Sequence, residues 1–408
     1  MSPESIFILL ISIIILNFLK DYYLNYLNSK NFGNKIPKII SDVYDKEKYQ
    51  KSQDYKKTLY KFGKISKAYS LTILLLFFFL DGFLFVDNFA RSLFDSELLI
   101  SLSFFGIIFF GSDILNLPFS LYSIFVIEEK FGFNKTTIQT YIFDKLKSWI
   151  LTILFGGGIL GFIILQEQLI GANFWIIVWI FITGLSIILN GFYAQIIVPL
   201  FNKQTKLEDG KLKSEIEKYS TKVGFDLGNI FVIDGSKRST KANAYFSGLG
   251  KQKRVTLYDT LINKLDIKQI VAVVAHEIGH YKKNHIIYNL FFSIIQTGIM
   301  LYILSIFISM PIFSESLGIE IQSFHIGLIC FSILFTPFSE IISLIFNLFS
   351  RKFEYEADEF AKKTYNGKYL IEALKILSKD SLSNLTPHPK YVWWHYSHPT
   401  LFQRVVRL

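Results

Sequence analysis

Residues 271–280 have the sequence Val-Ala-Val-Val-Ala-His-Glu-Ile-Gly-His. A small apolar lead-in that runs into an H-E-x-x-H motif is typical of a buried helix. On a helix, residues four apart lie one above the other, so His276 and His280 can bind one zinc ion. Glu277 then projects beside the metal, where it can take a proton from the attacking water. The motif predicts one Zn²⁺ per chain with Glu277 as general base; the alternative is two helix histidines in ordinary hydrogen bonds.

The rest of the chain is strongly apolar. Of its 408 residues, 51% are hydrophobic and 17% are aromatic, and the mean hydropathy is +0.36, which soluble domains rarely reach. Stretches long enough to cross a bilayer, or nearly so, occur seven times. They lie near residues 4–20, 68–86, 98–126, 148–166, 173–198, 285–310 and 323–349. The composition predicts a mainly α polytopic membrane protein with seven transmembrane helices.

Basic residues are unevenly distributed between the connections. A single one, Arg91, lies in the connections 87–97, 167–172 and 311–322. All other Lys and Arg lie in or at the edges of 20–67, 127–147, 199–284 and 350–408. Because basic residues favour the cytosolic side, we predict an external N-terminus and a cytosolic C-terminus and active site. The net charge of +10 then reflects orientation and attraction to the lipid bilayer, and no motif indicates nucleic-acid binding.

The first large polar segment, residues 199–284, is predicted to be a small α+β module. Lys203 to Lys222 is expected to be helical, and strands are expected at Ile230–Ile233, Ala244–Phe246 and Arg254–Tyr258. A turn at Gly248-Leu249-Gly250 joins the last two strands, and Asp266 is expected to cap the histidine-bearing helix. An edge strand beside a zinc helix can hold an extended peptide as an added strand; alternatively, the strands only cover the helix.

The second polar segment supplies the missing third ligand, because a catalytic zinc site usually has three protein ligands. Glu354 and Asp358 lie four residues apart on one helix face, whereas Glu356 lies on the opposite side. We expect Glu354 to bind the metal and Asp358 to orient a ligand histidine; the alternative is a solvated acidic face. His285 is rejected as a ligand because it lies about 140° round the helix from His280. His325 and His388 have no partner evident in the sequence.

The ordered set of motifs along nearly the whole chain resembles the type I CaaX prenyl endopeptidases, which are integral-membrane zinc metalloproteases. The motifs are Glu128-Glu129-Lys130-Phe131-Gly132-Phe133-Asn134-Lys135, Pro199-Leu200-Phe201-Asn202-Lys203, Gly235-Ser236-Lys237-Arg238-Ser239, Asn243-Ala244-Tyr245-Phe246, His276 to His280, Ser350-Arg351-Lys352-Phe353-Glu354 with Ala357-Asp358, and Ser397-His398-Pro399. The H-E-x-x-H motif alone is shared by many peptidases, but the ordered set is specific.

The resemblance implies a barrel of seven tilted helices around a hydrated chamber, with the site at its cytosolic end. It implies removal of the last three residues from a prenylated Cys-a-a-X protein or peptide. It also implies that His398 stabilises the oxyanion, with Arg404 as a structural or oxyanion partner. Asn243, Ala244 and Tyr245 would form the strand that holds the substrate.

Four parts of the chain follow from these patterns. They are a membrane region with helices 1–5 and two basic cytosolic loops (1–198), the zinc-peptidase module (199–284), transmembrane helices 6–7 (285–349) and a cytosolic segment that completes the site (350–408).

The residue usage is typical of an AT-rich microbial genome, so we expect a bacterial inner membrane, with the endoplasmic reticulum as the alternative. Other functions that fit are a membrane quality-control zinc protease without prenyl dependence and a transporter with a degenerate site.

Overall fold

The structure, a computed structural model, describes residues 1–225, 229–248 and 253–408. The first nine helices are α1 (Pro3–Lys30), α2 (Lys46–Phe79), α3 (Gly82–Leu93), α4 (Glu97–Tyr122), α5 (Glu129–Phe131), α6 (Ile138–Leu151), α7 (Gly158–Ile170), α8 (Phe174–Ile196) and α9 (Val198–Phe201). The later helices are α10 (Lys211–Lys222), α11 (Asp259–Ile262), α12 (Ile267–Lys282), α13 (His285–Phe307), α14 (Pro311–Ser316), α15 (Phe324–Leu334), α16 (Thr336–Ala361), α17 (Gly367–Asp380), α18 (Pro389–His395) and α19 (Leu401–Arg407). The strands are β1 (Gln204–Lys206), β2 (Asn229–Ile233), β3 (Ala244–Ser247) and β4 (Arg254–Tyr258).

The prediction of a mainly helical, polytopic membrane protein is confirmed, but the count of seven spans is not. Helical runs long and apolar enough to span a membrane are Pro3–Lys30, Lys46–Phe79, Glu97–Phe131, Ile138–Phe201 and His285–Phe307. A sixth candidate is the bent pair Phe324–Leu334 and Thr336–Asp380. Two predicted stretches, 148–166 and 173–198, fall within the run Ile138–Phe201, where the 3₁₀ turn Gly171–Asn173 separates them.

Two predicted spans contain helix breaks that hydropathy does not reveal. The predicted span 68–86 crosses the end of α2, because Asp81 adopts a left-handed conformation with φ of 52° before α3 begins. The predicted span 323–349 bends by 52° between α15 and α16, where Pro337 lies in the first turn of α16. Proline has no N–H to donate and disfavours helical conformation in the residue before it, so a continuous helix is interrupted there.

The outer surface of the helical region is apolar. Large side chains such as Leu16, Phe79 and Ile180 are exposed although they are strongly hydrophobic. An exposed apolar surface of this extent is unfavourable in water and marks contact with another apolar phase. The distribution supports a membrane-embedded region.

The sheet has the strand order β1-β2-β4-β3, with β2 parallel to β4 and the other pairs antiparallel. The three predicted strands are confirmed. The predicted helix Lys203–Lys222 is too long: Gln204–Lys206 forms β1 against β2, and α10 begins only at Lys211, after Gly210. Leu249 and Gly250 of the predicted turn lie outside the described residues.

The sheet packs on α12, which forms the centre of the peptidase module. Asp266 caps this helix as predicted, because its Oδ1 accepts the N–H of Gln269 at 2.9 Å while its own N–H donates to Gln269 Oε1 at 3.1 Å. The apolar lead-in of α12 is buried in one core with strand residues such as Val255 and Leu257. Burial of this stretch fixes the helix, and the histidines that follow, against the sheet.

Candidate active site

The two motif histidines project from one face of α12, as the spacing predicts. His276 is buried and His280 is partly buried, and their Nε2 atoms lie 3.2 Å apart. Gly279 lies on the same side, where a Cβ atom would be 3.1 Å from the Cα of Ala357. Because Gly279 has no side chain, α16 approaches α12 closely enough to bring its carboxylates to the imidazoles.

Glu354 on α16 completes the group that the sequence predicts as a metal site. Its Oε2 lies 3.5 Å from His276 Nε2, and its Oε1 lies 3.3 Å from His280 Nε2. The candidate ligand atoms of these three residues all lie within 4.8 Å of one another. The packing of α16 on α12 thus brings Glu354 to two histidines that lie 74 or more positions before it in the chain.

The donor set fits a divalent cation. Two imidazoles and one carboxylate form a ligand set found in catalytic zinc sites. Glu354 is buried, and its Oε2 has no hydrogen-bond partner within the described chain. An unsatisfied buried carboxylate oxygen is costly, and a bound cation would remove that cost.

Asp358 lies where the prediction requires, beside His276 and away from the ligand atoms. Its Oδ1 is 3.0 Å from His276 Nδ1. Arg404 donates to both Asp358 oxygens, at 2.8 Å from Nε and 2.6 Å from Nη2. Burial and the charge of Arg404 would lower the pKa of His276, but the neighbouring carboxylates of Asp358 and Glu354 outweigh them and raise that pKa to about 9. Arg404 Nη1 also lies 3.5 Å from Glu354 Oε2, so the guanidinium contacts both buried carboxylates of α16.

His285 is closer to the site than the sequence indicated. Its Nδ1 lies 3.0 Å from Nδ1 of His280, and its Nε2 lies 3.0 Å from Oε2 of Glu356. The predicted angle of about 140° assumes one continuous helix, whereas α12 ends at Lys282 and Asn284 has a φ of 58°. The rejection of His285 as a ligand agrees with its position behind the His280 ring. The sequence analysis did not predict that His285 contacts the His280 ring or that Glu356 contacts His285. The only sequence signal for the first contact was the spacing of five residues between His280 and His285.

Glu277 follows His276 on α12 and is half-buried. Burial raises the pKa of its carboxyl group, although the nearby histidines oppose the shift. A base of raised pKa holds an accepted proton more readily near neutral pH, as general-base catalysis requires.

His398 reaches the site from the segment between α18 and α19. Its Nε2 lies 3.3 Å from Glu354 Oε1, and its Nδ1 contacts Ser397 Oγ at 2.9 Å. About 63% of its side chain is exposed, so the ring remains accessible to a substrate. The position fits the predicted role of oxyanion donor.

The predicted substrate strand, β3, is an edge strand of the sheet. The N–H of Tyr258 donates to the carbonyl oxygen of Asn243 at 3.1 Å, which makes this pair a hydrogen-bonded one. Since such pairs alternate along an antiparallel ladder, the N–H and C=O of the next residue, Ala244, point away from β4 to the free edge. The side chain of Ala244 packs toward the core of α12, whereas Tyr245 packs with Val198 on the opposite face of the sheet.

Two other histidines lie away from this site. His325 is buried and contacts Asp87 Oδ1 at 2.8 Å and Ser101 Oγ at 2.9 Å, so it has partners that the sequence did not reveal. His388 caps α18, where its Nδ1 accepts the N–H of Lys390 at 3.2 Å.

Comparison with protein families gives two matches that together cover almost the whole chain. Residues 25–203 match the family described as CAAX prenyl protease N-terminal, five membrane helices. Residues 206–408 match peptidase family M48.

Individual relatives extend over most of the chain. It is 36% identical to CAAX prenyl protease 1 of Saccharomyces cerevisiae, over 95% of this chain and 92% of the relative. Identity to the CAAX prenyl protease 1 homolog of Oryza sativa is 39%, over 91% of this chain and 90% of the relative. Identity to the CAAX prenyl protease 1 homolog of Homo sapiens is 31%, over 91% of this chain and 88% of the relative. The crystal structure of S. mikatae Ste24p superposes with a TM-score of 0.94 at 36% identity, over 98% of each chain.

Proposed function

The chain belongs to peptidase family M48, alongside the CAAX prenyl protease 1 proteins, and is a membrane metalloendopeptidase; from this membership we propose that it depends on zinc and removes the C-terminal tripeptide from prenylated CaaX proteins. The observation that carries the proposal is the group His276, His280 and Glu354, in which a buried carboxylate oxygen has no hydrogen-bond partner within the described chain.

The residues around this group provide the other functions that peptide hydrolysis needs. We assign zinc binding to His276, His280 and Glu354; when bound, the ion activates water and polarises the scissile carbonyl. Glu277 accepts a proton from the attacking water and passes it on to the leaving amine. His398, exposed beside Glu354, donates to the negative charge that develops on the carbonyl oxygen.

Substrate is held by β3 in this proposal. The outward backbone groups of Ala244 pair with an extended peptide, which then lies as an added strand on the edge of the sheet. Asn243 is exposed, and its Oδ1 accepts the N–H of Ala244 at 2.9 Å. A peptide would replace this local contact with main-chain hydrogen bonds.

The finer membrane architecture is also proposed. We infer seven spans, with the run Ile138–Phe201 crossing twice, around a hydrated chamber with the site on the cytosolic side. The four-part division at residues 198, 284 and 349 follows the same arrangement. The relatives named above are all eukaryotic, which favours the endoplasmic reticulum over the bacterial inner membrane.

The decisive experiment is cleavage of a Cys-a-a-X peptide by the purified protein, with the released tripeptide measured by mass spectrometry and bound zinc by elemental analysis. Glu277→Gln is expected to retain zinc and lose nearly all turnover, because the proton acceptor is gone but no ligand is. His280→Ala is expected to lose both. Glu359→Gln, which changes an exposed carboxylate on α16, serves as the matched control.

The same assay distinguishes the proposed substrate from the alternative. A prenylated peptide is expected to be cleaved with a lower KM than its unmodified form, since each buried CH₂ contributes about 0.8 kcal/mol. Equal KM values would instead favour a quality-control protease without prenyl dependence. Wild-type turnover by Glu277→Gln would contradict the assigned mechanism itself.

A further inference from the structure

A cavity of about 390 Å³ adjoins the candidate active site. It is bounded by the 395–401 segment, by α17, by residues 383–385 and by α2. His398 and Arg404 line it, and both also contact Glu354. The cavity is therefore directly next to the candidate active site.

The cavity has an unbalanced positive charge. Among the described residues that line it, Lys56 and Arg404 are basic, and none is an aspartate or a glutamate. Arg404 is neutralised by Asp358. Lys56 forms no ion pair within the described chain, and Glu128, an acid whose charge acts on it, is already paired with Lys241 at 2.7 Å. A partly buried cation without a counter-ion favours an anionic ligand.

The position of Lys56 relative to β3 indicates which part of a peptide would reach it. Its Nζ lies 4.9 Å from the ring centroid of Tyr55, and Nζ of Lys241 lies 5.6 Å from the same ring. Lys241 stands three residues before the start of β3, so Lys56 lies nearer to the amino-terminal side of that strand. A peptide that pairs antiparallel with β3 runs in the opposite direction and carries its own carboxyl end there.

We propose that Lys56 binds the α-carboxylate of the substrate's last residue, while the residues after the scissile bond occupy this cavity. The proposal rests on the proposed function, since it takes the substrate to be cut near its C-terminus. Three extended residues span about 10 Å, a length that carries the terminal carboxylate from the scissile bond into the cavity. Lys56 would thus select peptides that end shortly after the cleavage site.

The test compares one peptide as the free acid and as its C-terminal amide. In the wild type, amidation is expected to raise KM about 10–100-fold, the scale of one hydrogen bond to a charged group. Lys56→Gln is expected to raise KM for the acid by a similar factor and to treat acid and amide alike. Lys56→Arg should restore part of the discrimination. Lys57→Gln, an exposed neighbour on α2, is expected to match the wild type.

A binding measurement separates recognition from turnover. In the Glu277→Gln background, the product tripeptide is expected to bind more tightly than its amide, and Lys56→Gln should abolish that difference while zinc content and Tm stay unchanged. If Lys56→Gln discriminates acid from amide as strongly as the wild type, with Glu277-dependent cleavage intact, the carboxylate assignment is wrong and the proposed function stands. Cleavage that does not depend on Glu277 would count against the function instead.

Discussion

Asp358 and Glu356 lie two residues apart on α16, and they reach the two motif histidines in different ways. Asp358 contacts His276 directly, whereas Glu356 contacts His285, which in turn contacts His280. From helical position alone, Glu356 is expected to be silent when substituted. The contact through His285 revises that expectation, because a partner of a ligand's second ring nitrogen fixes its orientation.

Substitution of these two carboxylates should separate direct from indirect support of the metal. Asp358→Ala is expected to weaken zinc affinity about 10–100-fold, the usual cost of losing a partner of a ligand histidine. Glu356→Ala is expected to weaken it by less, because one imidazole stands between Glu356 and the ligand. Zinc affinity is measured by competition with a chromogenic chelator, with Glu359→Ala as control. A larger effect for Glu356 than for Asp358 would contradict this order.

His398→Ala tests the assignment of the oxyanion donor. The zinc ligands remain in place, so zinc content should be unchanged, while kcat should fall about 10²–10³-fold because a donor to the developing charge is lost. Steady-state kinetics on the Cys-a-a-X peptide give kcat and KM separately. A change confined to KM would make His398 a substrate-binding residue.

At the scale of elements, β3 has one hydrogen-bonded edge and one free edge. Ala244→Pro removes the N–H that points to the free edge without removing a bond to β4. We expect KM to rise, or cleavage to be lost, while zinc content and Tm stay near wild type. Ala244→Gly, which keeps the N–H, is the control.

Wild-type kinetics in Ala244→Pro would mean that β3 only covers α12. Loss of zinc or a lowered Tm in that variant would show that the proline disturbs the sheet, and the comparison would then be made with backbone-methylated peptides. Such peptides remove the complementary hydrogen bond from the substrate instead of the enzyme.

Two acidic residues within the apolar helices, Asp113 and Glu340, have partners on other helices. Asp113 on α4 accepts hydrogen bonds from Lys145 at 2.6 Å and Trp149 at 2.9 Å, both on α6. Glu340 on α16 pairs with Lys20 on α1. Charged residues within a membrane are costly unless paired. These ion pairs explain the presence of both acidic residues without a transport path.

At the scale of the whole molecule, the number of spans determines the sides on which the termini lie. Seven spans place the N-terminus and the C-terminus on opposite sides of the membrane, whereas six place both on one side. In a Cys330→Ala background, single cysteines at Ser2 and Gln403 are expected to be labelled by an impermeant maleimide from opposite sides of sealed vesicles. Labelling from the same side would contradict seven spans.

The sequence alone determined the features that depend on local pattern. Helical periodicity placed His276 and His280 on one face, with Glu277 beside them and Glu354 four residues before Asp358, because these relations lie within single helices. Hydropathy located the apolar helices, and alternation located β2, β3 and β4, since each reflects burial of neighbouring residues. The family resemblance added the role of His398 and the assignment of Asn243, Ala244 and Tyr245 to substrate binding, which no local pattern indicates.

Only the tertiary structure decided what depends on contacts between distant elements. The absence of a side chain at Gly279 brings α16 against α12, and this packing sets the distances from Glu354 to the two imidazoles. The left-handed Asn284 turns His285 back onto His280, and the folding of α2 against the C-terminal segment places Lys56 in the cavity beside His398. These relations join residues far apart in the chain, so no periodicity within one segment records them.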